Sequence, residues 1–375
     1  MTEKLVAARF GPDPFSLEGI AQLIRALGDI EDDDLRPLAA KLGVSEDSFH
    51  IKAVVDVLGI SDEPRELPEL YSAVRRLLRA EAPVTVVFDD VGAAGPAFFN
   101  LLNYLEEALK DDRVIIELRG DPAAPYPMTG TGDDLFDAGL RSLRRSDMPA
   151  ASAFLSRAAE LLPSGEDRLE CLAATCDALL ASTDPTAIVP IARQGLAEAI
   201  ATDNERYHAR FSFLVTMLAE GAEDVEAFLR DVSARLETAR DSSGAAQAAE
   251  ALAHYYWEEA DRDAALEELE RALGFARSSN DKQTATRIIA WLCDAVATDD
   301  HVSGRRRRIE ELAWVAGFSP LVEVKRLVTL ARLTAEDGDL VAAQKLLQQA
   351  KELQEDLGQP AWVSGIPESG RIEDV

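Results

Sequence analysis

The segment LAHYYWEEADRDAALEELERALGFA, residues 252–276, decides how most of this chain folds. Its small residues Ala253, Ala265 and Ala272 are separated by 12 and then by 7 positions. Asp261 lies between the first two of them, in a polar stretch that predicts a turn. Small side chains at these points let two antiparallel helices approach closely, so the segment predicts a helix pair.

The same frame occurs twice more, in residues 138–163 and 330–353, each time with an acid in the expected turn and a leucine four positions after the middle small residue. The matching positions are Gly139, Asp147, Ala151, Leu155 and Ala158 in the first segment, Leu269 in the second, and Ala331, Asp339, Ala343, Leu347 and Ala350 in the third. This frame resembles the tetratricopeptide repeat, and Pro163 closes the first copy where that family often places proline. Repeats at a fixed period are typical of helical solenoids.

Weaker helical pairs fill the intervals 167–200, 205–239 and 281–318, which brings the expected total to about six pairs. Pro190 interrupts the first of these intervals. Because proline is tolerated in the first turn of a helix, we expect the second helix of that pair to begin near it.

The first 128 residues have a different pattern. KLVAARF (4–10), VTVVFDD (84–90) and RVIIELRG (113–120) have strand character and alternate with helical stretches, which predicts a small parallel sheet. We therefore expect a mainly α protein. Its predicted parts are a partial α/β domain over 1–128, a linker around 121–132, an α-solenoid over 129–357 and a disordered tail over 358–375.

The strand that ends in Asp89 and Asp90 resembles part of the ATPase module of signal-transducing P-loop NTPases, which occurs in bacterial LuxR-type regulators and adenylate-cyclase-linked ATPases. In that family two acids at a strand end precede a hydrophobic residue and His-Trp-Ala-Asp. Ala94 and Pro96 match the alanine and a frequent downstream proline, and Arg119 lies at the place of a sensor-like arginine. The resemblance implies a P-loop-NTPase-like sheet and a magnesium-binding role for the acid pair.

The chain departs from that family at the positions that ATP hydrolysis requires. Gly92, Ala93 and Gly95 stand where the family has histidine, tryptophan and aspartate, and no G-x-x-x-x-G-K-[ST] string occurs. That string supplies the phosphate cradle. We therefore expect Asp89, Asp90 and Arg119 to be vestigial, with no enzymatic activity and no cofactor. The alternative is an ATP-dependent regulator whose phosphate loop lies outside this chain.

Charge and cysteine content restrict the partners and the compartment. The formal net charge is -29, which repels nucleic acid and anionic membranes and favours a protein partner of basic character. Three cysteines, Cys171, Cys176 and Cys293, are too few for a disulfide scaffold, and no stretch resembles a signal peptide or a membrane span. A cytoplasmic protein is the expectation.

Two short segments are the candidate partner-binding residues, and each has a second interpretation. Tyr255, Tyr256 and Trp257 lie on the first helix of a repeat, where they either anchor a partner in a groove or fill the core. Arg305, Arg306, Arg307 and Arg308 form either a docking patch or a solvated face paired with acids. An open sheet edge offers self-association. His50, His208, His254 and His301 lack ligand spacing, and no metal site is expected.

Overall fold

The computed structural model describes residues 4–10, 17–30, 34–61, 63–121, 129–180, 187–299 and 304–357. Most of the expected linker, the expected tail over 358–375 and His301 lie outside the described residues. The chain divides into two compact units, Met1–Leu161 and Leu162–Val375.

The first unit contains a three-stranded parallel sheet in the order β1-β2-β3. Its strands are β1 (Lys4–Arg9), β2 (Val84–Asp89) and β3 (Val114–Leu118). Its helices are α1 (Glu18–Gly28), α2 (Arg36–Leu42), α3 (Phe49–Val57), α4 (Leu67–Glu81), α5 (Pro96–Ala108), α6 (Gly132–Arg144) and α7 (Met148–Leu161). The three strand segments predicted from the sequence are therefore neighbours in one sheet.

The helices α1, α4 and α5 cover one face of this sheet. The chain moves in one direction from β1 to β3, and parallel crossovers are right-handed in about 98% of cases, so both crossovers place their helices on the same side. On that side Val6, Val86 and Phe88 are buried in the core with the helices. On the other side Leu5 is 71% and Ile115 is 53% exposed. Within the described residues this second face is exposed at its outer strands, while Val87 of the central strand is buried.

The compact unit that holds the sheet extends through α6 and α7, beyond the boundary at residue 128 that the sequence favours. Arg145, just after α6, donates to Asp56 of α3 with an Nη2–Oδ1 distance of 2.7 Å. The backbone carbonyl of Arg145 also accepts from the N–H of Leu67, at 3.2 Å. The first helix pair is thus joined to the helices that cover the sheet.

The second unit consists of α8 (Glu166–Leu180), α9 (Ile188–Ala201), α10 (Glu205–Val215), α11 (Val225–Thr238), α12 (Ser242–Glu258), α13 (Arg262–Ser278), α14 (Lys282–Thr298), α15 (Arg305–Glu311), α16 (Pro320–Glu336) and α17 (Leu340–Leu357). Consecutive helices pack as pairs, and Pro190 lies in the first turn of α9, as predicted. The mainly α fold with a small parallel sheet is confirmed.

The small-residue frame lies at the contacts between paired helices. Ala265 and Ala343 are fully buried, as are the other alanines of the three frames. At Gly139 a side chain is excluded altogether, because a Cβ there would lie 2.5 Å from Cγ of Leu155. The sequence spacing therefore marks where two helix backbones meet.

The acids predicted in the turns cap the helices that follow them. Asp147, Asp261 and Asp339 accept from backbone N–H groups three residues onward, at 3.3, 3.2 and 3.0 Å. In each turn the preceding residue has a positive φ, as at Ala260 with 63°. An aspartate at this position satisfies one of the unpaired N–H groups at a helix start. The same turn precedes α10, α12 and α14, so it joins helices within pairs and between them.

Candidate functional site

The structure brings Asp89, Asp90 and Arg119 together at the carboxyl edge of the sheet. Asp89 ends β2, and Nη1 of Arg119 lies 3.8 Å from its Oδ1. Nε of Arg9, at the end of β1, donates to Oδ2 of Asp90. All four side chains are exposed or half-buried, and each acid faces an arginine. The acid pair that resembles a magnesium site is therefore ion-paired within the chain.

The loops that follow β2 and β3 are joined at this edge. Asp90 has a left-handed conformation, with φ 59° and ψ 38°, and it turns the chain out of β2. The N–H of Val91 then donates to the carbonyl of Arg119 at 3.1 Å. A Cβ at Gly120 would lie 3.2 Å from the backbone nitrogen of Val91. The loops after β2 and β3 thus pack against each other.

Ligands of open α/β sheets bind where the strand order reverses, because the helices there separate to opposite faces and leave a crevice. The order β1-β2-β3 has no such reversal among the described strands. In the described part of the chain, no group of three or more His, Cys, Asp or Glu side chains could hold a metal ion.

The three predicted aromatic anchors occupy different environments. Tyr256 is buried, and its hydroxyl donates to Oε1 of Glu226 at 2.8 Å while accepting from Nε of Arg230 at 3.1 Å. These bonds tie α12 to α11. Tyr255 and Trp257 are half-buried. The core interpretation therefore describes Tyr256, and the other two remain accessible to a partner.

Trp257 belongs to a larger aromatic group that spans two first helices of neighbouring pairs. Its ring is 6.1 Å from that of Trp291 on α14, edge to face. The imidazole of His254 stacks on Trp291 at 3.9 Å and is exposed. The guanidinium of Arg262 covers the other side of Trp257 at 4.1 Å.

Charged pairs extend this group along α12, α14 and α16. Nε of Arg287 donates to Oε1 of Glu250 at 2.6 Å, and Nζ of Lys325 lies 2.6 Å from Oδ2 of Asp294. We call the set Glu250, His254, Arg287, Trp291, Asp294 and Lys325 the inner strip. It offers water-accessible groups of both charges beside stacked aromatic rings.

Arg287 is an exposed member of this strip. Its side chain is 43% exposed, yet desolvation by the surrounding protein is the largest influence on its pKa and lowers it. The hydrogen bond and the charge of Glu250 outweigh desolvation, so the net pKa is raised.

Toward α8, a network of ion pairs joins the first helices of three neighbouring pairs, α8, α10 and α12. Arg210 of α10 donates to Asp177 of α8 at 2.7 Å and to Asp241, the cap of α12, at 3.0 Å. Nε2 of Gln247 in α12 reaches past α10 to Oδ1 of Asp177, at 2.7 Å. The helices α8 and α12 therefore approach each other on this side, and open surface begins at α12.

The arginine run from Arg305 to Arg308 is paired with acids, in agreement with the second interpretation of that segment. Arg305 contacts Glu336 and the carbonyl of Val296, while Arg306 contacts Asp337 at 2.6 Å. Arg308 is buried against Glu270. Arg307 is 71% exposed and lies 3.8 Å from Glu311. The run mainly joins α15 to its neighbours.

Sequence reasoning missed the pairing of His254 with Trp291 and treated that histidine as isolated. A signal was present. The separation from Glu250 to Arg287 equals that from His254 to Trp291, 37 positions in both cases, which is the offset between matching sites of successive first helices.

None of the described helices has the length and apolar composition that crossing a bilayer requires. Neither a protein-family model nor a curated protein matches this chain. Among solved structures, the "Crystal Structure of the Apo Form of RapI" matches with a TM-score of 0.39 and 11% sequence identity, over 70% of this chain and 92% of that chain.

Proposed function

We propose that this chain is a non-catalytic protein-interaction scaffold whose partner binds along the inner strip. The observation that carries the proposal is the exposed stack of His254 on Trp291, set between the Glu250–Arg287 and Asp294–Lys325 pairs. Aromatic and arginine side chains at the centre of a surface are the residue types that dominate binding energy.

The strip favours a peptide or protein segment that presents both an apolar side chain and a charge. An apolar group fits against Trp291 and Trp257, and a basic group fits Asp294, which is 61% exposed. The overall charge of -29 also attracts a basic partner at long range. Tyr255, half-buried beside Tyr256, is a further candidate contact for the partner.

The rival function is that of an ATP-dependent regulator whose phosphate loop lies elsewhere. The pairing of Asp90 with Arg9 and the contact of Asp89 with Arg119 favour a structural role for the sheet edge. Purified protein is expected to show no magnesium-dependent ATP hydrolysis above background. Turnover that disappears in Asp90→Asn would support the rival instead.

The proposal also includes a compartment and a mode of self-association. Cys171, Cys176 and Cys293 are buried and form no disulfide among the described residues, which accords with a reducing cytoplasm. The outer edges of β1 and β3 provide backbone groups through which two copies of the chain could pair, and sedimentation at rising concentration measures that association.

The binding role is tested by capturing a partner with the full chain as bait and titrating it against purified variants. Trp291→Ala should weaken binding by about 2 kcal/mol or more. Phe275→Ala is the matched control, because Phe275 is a half-buried ring on α13, packed against the same core but outside the strip. Equal affinities for wild type, His254→Ala and Trp291→Ala, all folded, would overturn the proposal.

A further inference from the structure

A second surface of the helical unit, on the α13–α15 side, has the properties of a built recess. It is an open cleft of about 230 Å³ between α13 and α15, with Leu292 of α14 at its base. Its lining residues are Glu270, Leu273, Gly274, Arg277, Leu292, Arg308, Ile309, Glu311, Leu312 and Trp314. The floor is thus apolar, and the rim carries charge.

Arg277 on this rim has no acidic side chain within ion-pair distance among the described residues. Its guanidinium lies over the indole of Trp314, 4.0 Å from the ring centre. Stacking on an aromatic face fixes the plane of the guanidinium and leaves its N–H edge free, and that edge matches a carboxylate in bidentate geometry. In a chain with 68 acids and 39 bases, an arginine held in this way without an acid is available to an incoming one.

Gly274, one turn before Arg277 on the same helix, provides a second observation. Glycine in a helix interior costs about 1 kcal/mol relative to alanine. At Gly139 and Gly195 packing explains the glycine, because a Cβ would lie 2.5 Å from Leu155 and 2.4 Å from Phe211. At Gly274 a Cβ would meet no atom within 4 Å. Internal packing therefore does not require this glycine, whereas the close approach of another backbone would.

We propose that this cleft binds a short acidic segment of a partner protein. One carboxylate of that segment pairs with Arg277, a neighbouring apolar side chain packs against the half-buried ring of Trp314, and the backbone passes over Gly274. Of the acids that line the cleft, Glu270 pairs with Arg308 and Glu311 lies 3.8 Å from Arg307, so Arg277 is left to bind an incoming carboxylate. The inner strip plays no part in this site, so the proposal is independent of the function proposed above.

The test uses a panel of fluorescein-labelled heptapeptides, Ser-Gly-Φ-Asp-Φ-Gly-Ser, in which Φ is Leu, Ile, Val or Phe, and matched peptides with Asn or Lys in place of Asp. Fluorescence anisotropy with the full chain should give saturable binding of at least one Asp peptide, at least tenfold tighter than its Asn and Lys counterparts. Absence of saturable binding up to millimolar protein, or equal binding of Asp and Asn peptides, would overturn the proposal.

Three variants locate the site. Gly274→Leu fills open space and should weaken the Asp peptide at least tenfold, and Arg277→Gln should abolish the preference for Asp over Asn. Arg307→Gln removes the same charge from a neighbouring exposed position outside the cleft and should change affinity less than twofold. Circular dichroism checks that each variant is folded. An equal effect of Arg307→Gln and Arg277→Gln would show that general charge attraction binds the peptide, and this would overturn the proposed site.

Discussion

The guanidinium of Arg210 links three helices because it lies between two carboxylates, Asp177 of α8 and Asp241 at the start of α12. Burial opposes its charge and is the largest influence on its pKa, yet the two acids together raise that pKa. Burial likewise opposes ionisation of Asp241, and the charge of Arg210 and the N–H of Gly244 outweigh it, so the pKa of Asp241 is lowered. Each charge in this network depends on the others.

Arg210→Met should therefore destabilise the protein strongly, since it removes the nearest cation from Asp177 and leaves buried Asp241 with only Arg206, at 3.9 Å. Removing one partner of a buried ion pair costs about 3–5 kcal/mol. Urea unfolding followed by circular dichroism measures this loss. Arg307→Gln, at an exposed position, should change the free energy of unfolding by less than about 0.5 kcal/mol. If the two variants have equal stabilities, Arg210 does not join the helices.

The cysteines give a pH-dependent prediction. Burial raises the pKa of Cys176 and of Cys293 from 9.0 to about 12. The unfolded chain therefore loses these thiol protons at lower pH than the folded chain does. Their contribution to stability is complete below pH 9.0 and declines as pH rises toward about 12.

Folded protein at pH 8 should not react with a thiol reagent, whereas protein in denaturant should react at all three cysteines. The free energy of unfolding in urea should also fall above pH 9, by at most about 1.4 kcal/mol per pH unit for each thiol. The variant Cys176→Ala/Cys293→Ala should reduce this slope, and Tyr207, whose pKa burial also raises, accounts for part of the remainder. Rapid labelling of the native protein would contradict the assigned burial.

At the level of helices and turns, much could be predicted because the cause is local. Ala265 and Ala343 recur at fixed spacing where helix backbones meet, and Asp261 and Asp339 cap the following helix. These signals lie within one helix pair, so a single segment of sequence contains them.

Contacts between distant segments could not be predicted in the same way. The stack of His254 on Trp291 depends on how successive first helices align, and the bond from Arg145 to Asp56 joins residues 89 positions apart. The helix after Glu311 also continues in 3-10 form over Leu312–Gly317. Each of these depends on packing that one segment does not encode.

The small-residue frame predicts that Ala265 does not tolerate bulk. It is fully buried where α12 and α13 touch, and overpacking a tight contact costs about 1–3 kcal/mol, so Ala265→Leu should lower the melting temperature. Gly274→Ala, on the open side of the same helix, should raise it, because alanine is the better helix former by about 1 kcal/mol. Equal melting temperatures for both variants would show that Ala265 is not at a close helix contact.

At the scale of the whole molecule, the chain comprises two compact units, and their boundary can be measured. A fragment of residues 162–357 should melt cooperatively, because its helices bury their faces against neighbouring pairs. A fragment of residues 1–161 should be more stable than one of residues 1–128, which lacks Arg145 and the helices α6 and α7. Equal stability of the two shorter fragments would instead place the boundary at residue 128, as the sequence favours.

The most direct test of the binding role is hydrogen–deuterium exchange of the full chain with and without its captured partner. The partner should slow exchange in residues 250–258, 287–294 and 325–332, the segments that carry the inner strip. In Trp291→Ala this protection should weaken together with the affinity. Protection confined to residues 4–161, with the inner strip exchanging as in the free chain, would contradict a scaffold that binds through its helix pairs.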